Sequence, residues 1–285
     1  MTRNYKFRIM NVFAESTFGG NALCVFEDAT GLGDDEMQSL ARQFNLSETT
    51  FILPSAAATA RVRIFTPGNE LPFAGHPTLG TAHVLRELRG TGDTLSIEFK
   101  AGIVPVSAIG NQWTFVAPAS AQPDIGQPGA SPGLIARLVG LEQQDLASDP
   151  LWVNTGVDQL LIPVKTVDAV RRAAPDAALL DQWPASIIGR KTAYLFAFDT
   201  PTTVLARYFF AMQNGGVGED PGTGSACANL GGWLLHTGHS LPARIQVSQG
   251  EAVLRPCRLA LDVTTDRKIC VGGQVRQIAI GTVSI

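Results

Sequence analysis

The chain is poor in the features that mark several common classes of protein. It holds only four cysteines, Cys24, Cys227, Cys257 and Cys270, far apart and with no C-x-x-C pair. That spacing argues against a disulfide framework or a zinc site and for reduced thiols in a cytoplasm. Charged residues make up 16% of the chain and the net charge is −3. This gives no reason to expect nucleic acid or an anionic membrane as a partner. No apolar run approaches the roughly 18 residues needed to span a bilayer. The N-terminal stretch from Met1 to Phe7 has no apolar core of a signal peptide. The expected location is cytoplasmic. No cluster of His, Cys and carboxylates has metal-ligand spacing. Gly222-Thr223-Gly224 lacks the lysine of a phosphate-binding loop, and no G-x-G-x-x-G follows a strand. No metal and no nucleotide is expected.

What the chain does have is a repeated stretch. Phe73-Ala74-Gly75-His76-Pro77-Thr78-Leu79-Gly80-Thr81-Ala82 has a partner in Gly218-Glu219-Asp220-Pro221-Gly222-Thr223-Gly224-Ser225-Ala226. Displaced by 144 positions, the two overlay without a gap. His76 falls on Asp220, Pro77 on Pro221, Gly80 on Gly224, Thr81 on Ser225 and Ala82 on Ala226. Upstream, Arg63-Ile64-Phe65 falls on Arg207-Tyr208-Phe209 in the same register. The offset is half the chain, as an internal duplication produces. At 285 residues and 45% hydrophobic content, two ordinary domains can each bury a core.

Read in order, residues 5–14, 22–26, 50–53 and 60–65 have strand patterns, and 34–44 has helical spacing with Asp34, Asp35 and Glu36 at its dipole-favoured start. Residues 77–88 are helical, with Pro77 in the first turn, where its missing N–H costs nothing. Three strands follow at 95–99, 103–106 and 113–116. The Pro-, Ala-, Ser- and Gly-rich run 117–131 reads as a linker. The second half repeats the outline. A helix at 132–139 and strands at 152–156 and 160–164 come first. Short helices at 167–174 and 177–183, strands at 193–198 and 204–210, and a small-residue helix at 225–235 follow. Strands at 245–249, 252–254, 259–263 and 276–283 close the chain. The class is α+β: two pseudo-symmetric domains, each a mostly antiparallel curled, barrel-like sheet around a central helix. The boundaries are 1–118, possible completion by the strand 275–285, and 119–274. Gly231-Gly232 within a helix suggests close packing.

A helix start built of small residues offers bare N–H donors and the positive end of the dipole, which suits a carboxylate. Here there are two such starts, each with a proton-active group, His76 in one and Asp220 in the other. Ser225 adds a hydroxyl, and Glu48 lies near the first site in sequence. Each has an ordinary alternative. Glu48 could be a solvated turn residue, His76 a structural histidine, Asp220 a helix cap and Ser225 a small packing residue. The symmetric placement of His76 and Asp220 raises both. His83, His236 and His239 read as helix-face or helix-end residues.

Three motifs carry a resemblance over the whole chain. They are Leu46-Ser47-Glu48-Thr49-Thr50-Phe51, the stretch from Phe65-Thr66-Pro67 through Glu70-Leu71-Pro72-Phe73-Ala74-Gly75-His76-Pro77, and Glu219-Asp220-Pro221-Gly222-Thr223-Gly224-Ser225-Ala226. Together they resemble the phenazine-biosynthesis PhzF-like isomerase family. The resemblance implies a diaminopimelate-epimerase-like fold with the active site between two domains. It also implies a cofactor-free isomerase, usually a homodimer, acting on a small carboxylic acid such as trans-2,3-dihydro-3-hydroxyanthranilate. By the same resemblance, Glu48 is general base and acid, and His76, Asp220 and Ser225 orient substrate. Gly75 and Gly224 hold its carboxylate, and Asn21 joins them. Two departures stand out. Ala22 follows Gly20-Asn21 where the family usually has proline, and the segment Phe209 to Gly216, which should line the pocket, does not match the family's Phe-Ser-Pro or Phe-Ala-Pro. Two rivals remain. One is a non-catalytic binding protein. The other is a cysteine-based racemase, whose thiol positions fall near Pro77 and Pro221.

Overall fold

The computed structural model describes residues 2–118, 122–212 and 215–285. The chain divides into two compact units, Met1–Pro118 with Val271–Ile285, and Ala119–Cys270.

The first unit contains β1 (Asn4–Val12), β2 (Asn21–Phe26), α1 (Asp34–Phe44), β3 (Glu48–Leu53), β4 (Ala60–Phe65), the two-residue β5 (Glu70–Leu71), α2 (Gly75–Arg89), β6 (Thr94–Phe99), β7 (Gly102–Ile109) and β8 (Gln112–Val116). Strand β1 pairs antiparallel with β2, β2 parallel with β3, and β3 antiparallel with β4. Strand β4 then pairs parallel with β6, which continues antiparallel through β7 to β8. The last strand of the chain, β17 (Ile269–Ser284), pairs with both β8 and β1 and closes an eight-stranded barrel.

Helix α2 runs inside that barrel. Every residue from Gly75 to Leu85 is buried. Over that stretch the helix has no solvent face, and its side chains are apolar or small apart from the histidines His76 and His83. Thr81 is small but polar, and its Oγ1 meets Thr50 Oγ1 of β3 at 2.9 Å, which leaves neither hydroxyl orphaned. Helix α1 instead lies against the sheet with one face. Met37, Leu40 and Ala41 join a core of Phe26, Phe51 and Phe65, with Phe26 and Phe51 stacked at 4.8 Å.

The second unit contains β9 (Asp124–Gly126), α3 (Pro132–Leu138), β10 (Leu151–Asn154), β11 (Asp158–Pro163), α4 (Val167–Arg172), a 3-10 turn at Ala177–Gln182, β12 (Thr192–Thr200), β13 (Thr203–Ala211), β14 (Val217–Asp220), α5 (Gly224–His236), β15 (Ala243–Gln249) and β16 (Cys257–Val263). The pairing sense repeats that of the first unit. Strands β10 and β11 are antiparallel, β11 and β12 parallel, and β12 and β13 antiparallel. Strands β13 and β15 are parallel, and β15 and β16 antiparallel. Helix α5 is buried along most of its length. A Cβ on Gly231 would lie 2.7 Å from Ile269 Cγ2, and one on Gly232 3.0 Å from Thr155 and Val153, so the two glycines permit close packing.

An ion pair marks the duplication at atomic detail. Arg63 Nε and Nη2 bind Glu70 Oε1 and Oε2 at 2.7 and 3.0 Å, across 7 residues. Arg207 Nε and Nη2 bind Glu219 Oε1 and Oε2 at 3.0 and 2.7 Å, across 12 residues. Each guanidinium also lies over the aromatic ring two residues further on, Phe65 at 5.0 Å and Phe209 at 4.7 Å. The single offset of 144 is therefore corrected. It holds through β3/β12 and β4/β13, but the second connection is five residues longer and the helices align at 149. By structure Gly75 matches Gly224, His76 matches Ser225, and Asp220 matches Leu71 rather than His76. The ungapped overlay was drawn by shared glycine and proline, which recur in both turns.

Other local expectations also change. The expected linker 117–131 contains β9, paired with β10; Ala119, Ser120 and Ala121 lie outside the described residues. The expected strand at 252–254 is a turn, with Leu254 at φ 57. The segment expected to line the pocket includes Gln213 and Asn214, which also lie outside the described residues.

Because α2 is enclosed, Leu79→Ala is expected to lower unfolding free energy by about 2–5 kcal/mol in urea titration. The same truncation at Leu88, 39% exposed on the same helix, should cost well under half as much.

Candidate active site

Glu48 is placed by a turn. Asn45 ends α1 in the left-handed conformation (φ 50), which an asparagine tolerates, and its N–H bonds Ala41 O. Three residues later Glu48 opens β3, in parallel register with Leu23 of β2. Its side chain is 16% exposed, and Oε2 lies 3.3 Å from His76 Nε2. His76 is the second residue of α2 and almost fully buried. Its other nitrogen, Nδ1, lies 3.3 Å from the amide nitrogen of Asn21, itself fully buried at the start of β2. Asn21 is delivered there by Gly20, whose φ of +80 and whose missing Cβ, 2.6 Å from Ala14 Cβ if present, make any other residue costly. Ala22, the departure from the family's proline, holds its place in the β1–β2 ladder opposite Asn11. Glu48, His76 and Asn21 thus come together.

Burial pulls the His76 imidazole down to about 3, against a smaller opposing pull from a backbone contact with Ala22. The ring is neutral at pH 7, so its contact with Glu48 is not an ion pair. Nor are the two atoms aligned as a hydrogen bond at this distance. The neutral ring carries one proton, and the Asn21 amide at Nδ1 and the Ala22 backbone decide which nitrogen holds it.

In the second unit Asp220 ends β14 and Ser225 is the second residue of α5. Thr223, not Asp220, occupies the N-cap position of α5. Thr223 Oγ1 donates to Asp220 Oδ2 at 2.5 Å. Gln249, fully buried, donates from Nε2 to the Asp220 carbonyl at 2.8 Å and to Thr223 Oγ1 at 3.0 Å. Its Oε1 accepts from Thr223 N–H at 3.3 Å. Ser225 Oγ accepts from Gln159 Nε2 at 2.9 Å. Tyr208 is buried beside Gln159, Thr192 and Asp220, and burial holds its phenol protonated. Gln159, Gln249, Thr223 and Tyr208 escaped the reading of the sequence.

The two helix starts differ from the others in the chain. Glu36 Oε2 accepts from Gly33 N–H at the start of α1, Ser131 caps α3 and Thr166 caps α4. At α2 the N-cap is Ala74, which has no capping atom, and at α5 Thr223 makes no capping bond. Neither has an acidic residue in its first turn. Gly75 and Gly224 are the first residues of these two helices, so both sites expose the charge complement of an anion.

His83 and His239 have other neighbours. His83 Nδ1 accepts from Trp113 Nε1 at 3.3 Å while Nε2 faces Glu87 at 3.4 Å. His239 stacks on Phe198 in an open groove at the far end of α5, which holds none of the expected site residues. Cys24 and Cys227 are buried, and desolvation pushes both thiols up, which disfavours the thiolate a cysteine-based racemase needs. Among the described residues no group of three or more His, Cys, Asp or Glu is placed to hold a metal ion, and no helix is long and apolar enough to cross a membrane.

One consequence is a pH dependence of stability. An unfolded histidine protonates near 6.5, but His76 does so only near 3 in the fold. Between these values the unfolded chain binds the extra proton, so stability falls as pH falls below about 6.5. His76 should contribute a slope of up to about 1.4 kcal/mol per pH unit there. Urea midpoints from pH 7 to pH 4 should fall less steeply in His76→Gln than in the wild type.

The family described as phenazine biosynthesis-like protein (PhzC-PhzF) matches residues 10–279. An uncharacterized isomerase of Pasteurella multocida is 41% identical, covering 99% of this chain and 94% of its own. The trans-2,3-dihydro-3-hydroxyanthranilate isomerase of Pseudomonas aeruginosa is 32% identical, covering 90% of this chain and 89% of its own. Among solved structures, a PhzF-family phenazine biosynthesis protein of Bacillus anthracis aligns over 99% of this chain and 100% of its own, with a TM-score of 0.85 and 27% identity. A hydroxyproline epimerase of Agrobacterium vitis shares the fold alone, covering 99% of this chain and 93% of its own with a TM-score of 0.66 at 13% identity. Sequence, fold and motif order agree, and the chain belongs to the PhzF-like phenazine biosynthesis family.

Proposed function

We propose that this protein is a cofactor-independent isomerase that moves a proton within a small unsaturated carboxylic acid. The observation that carries this reading is Glu48 set against a buried, neutral His76 beside an uncapped helix start. Glu48 as carboxylate takes a proton from a carbon next to the conjugated system. The electron pair left behind shifts the double bonds, and the same proton returns from the Glu48 carboxyl to another carbon. Nothing is oxidised or reduced and no group is lost. A base that returns its own proton needs to be shielded from bulk water, and Glu48 is largely covered. His76, with Nε2 3.3 Å from the Glu48 carboxylate, faces the developing negative charge. Gly75 and Gly224 bind the substrate carboxylate through backbone N–H groups. Asp220 orients its amine or hydroxyl, Ser225 beside Gly224 offers a hydroxyl to the carboxylate, and Asn21 holds the His76 ring.

The substrate named for the Pseudomonas aeruginosa relative, trans-2,3-dihydro-3-hydroxyanthranilate, is the first compound to try. The second reading, a binding protein without turnover, differs in one measurable respect. In D2O, followed by NMR, the wild type should move the ring double bonds or admit deuterium. Glu48→Gln should lose at least about 100-fold in rate while keeping affinity for the acid within a few fold. A variant that turns over like the wild type removes Glu48 as the base. Equal binding and no turnover in either protein favours the binding reading for this acid.

A further inference from the structure

A buried chain of side chains runs from the backbone of the second unit to Ser225, and it fixes which way that hydroxyl points. It begins at two groups whose roles cannot change, the N–H of Thr155 and the C=O of Val157. Asn229, fully buried, accepts from Thr155 N–H at 2.9 Å and from Thr155 Oγ1 at 2.7 Å through Oδ1. Its Nδ2 donates to Val157 O at 2.8 Å and to Gln159 Oε1. All four hydrogen-bonding positions of the Asn229 amide are used. A flipped amide would set its NH2 against the Thr155 N–H and its oxygen against the Val157 carbonyl, so the backbone decides the orientation. Gln159 is next, 1% exposed. Its Oε1 is taken by Asn229, so Nε2 must face Ser225, where it donates to Oγ at 2.9 Å. Ser225 is therefore already an acceptor toward Gln159, and its single proton is directed elsewhere. A hydroxyl held this way presents a donor, which suits a carboxylate.

We propose that Gln159 and Asn229 are positioning residues that hold the Ser225 hydroxyl as an obligate hydrogen-bond donor to the substrate carboxylate. This rests on Ser225 contacting substrate, as proposed above. The first unit shows the same device. An amide at the start of β2, Asn21, meets the second residue of α2, His76, as Gln159 near the start of β11 meets the second residue of α5. By strand register Gln159 stands where Leu23 stands in the first unit, so the two contacts are alike in kind and not in position.

The test is a double-mutant cycle read by binding, which needs no turnover. The probe is 3-hydroxyanthranilate, the aromatic acid with the same substituents, titrated by calorimetry. Ser225→Ala and Gln159→Met are each expected to weaken binding about tenfold, the size of one hydrogen bond to a charged group. The double variant should be no weaker than Ser225→Ala alone. In turnover, both single variants should raise KM by a similar factor with kcat within about threefold of wild type. A merely structural Gln159 would weaken binding equally with or without the Ser225 hydroxyl, and that additive result overturns the proposal, as does unchanged binding in Gln159→Met. Should Gln159→Met fold poorly, Gln159→Glu keeps the shape and replaces the donor with an acceptor. Its penalty should shrink when Ser225→Ala is already present, and an undiminished penalty overturns the proposal. Wild type that binds the acid but moves no proton overturns the isomerase reading alone. Wild type that binds no carboxylate overturns the anion-binding role of Ser225 and this inference with it.

Discussion

A helix enclosed by sheet has to start somewhere inside the protein, and its first N–H groups have no acceptor within the helix. That constraint shapes both units. The other α-helices meet it with a side chain from Glu36, Ser131 or Thr166. At α2 and α5 the chain supplies Ala74 and a Thr223 whose hydroxyl is turned to Asp220 and Gln249, and it keeps acidic residues out of the first turn. Leaving donors bare at the buried start of a helix is unfavourable for folding alone.

The geometry before each helix is secured by the same part. A guanidinium clamps a glutamate bidentately, Arg63 on Glu70 and Arg207 on Glu219, and both pairs are largely withdrawn from water. Bidentate pairing fixes angle as well as distance. It pins the short strand from which the chain turns into the helix, so the helix start is placed by charge pairing on one side and by barrel packing on the other. Truncating either partner would leave its mate charged and poorly solvated, which costs more than the pair contributes.

On this shared frame the chemistry has diverged. Glu48 opens β3, whereas the matching position in the second unit is Thr192 at the start of β12. His76 is matched by Ser225, and Asp220 by Leu71. The titratable groups near the two helix starts therefore differ between the units. The neutral imidazole depends on complete burial, while the serine depends on a relay of neutral amides that is satisfied at every member. A partly satisfied relay would cost stability without fixing the hydroxyl.

Much of this was written in the sequence. Alternating strands, the two small-residue helices, the duplication, and Glu48, His76, Asp220 and Ser225 as the polar residues to watch all follow from local pattern and motif, because period and turn chemistry act over a few residues. The register of the duplication did not follow. Glycine and proline recur in any tight turn, so an ungapped overlay paired His76 with Asp220. Only the ion pairs, one spanning 7 residues and the other 12, show where five residues were gained. The short strand β9 was hidden within a linker-like composition, because strand pairing with β10 comes from a neighbour distant in sequence. The amides of Asn229, Gln159 and Gln249 were invisible for the same reason. Nothing in a lone glutamine or asparagine says that it will be buried. Its function is decided by which backbone groups the finished fold brings to it.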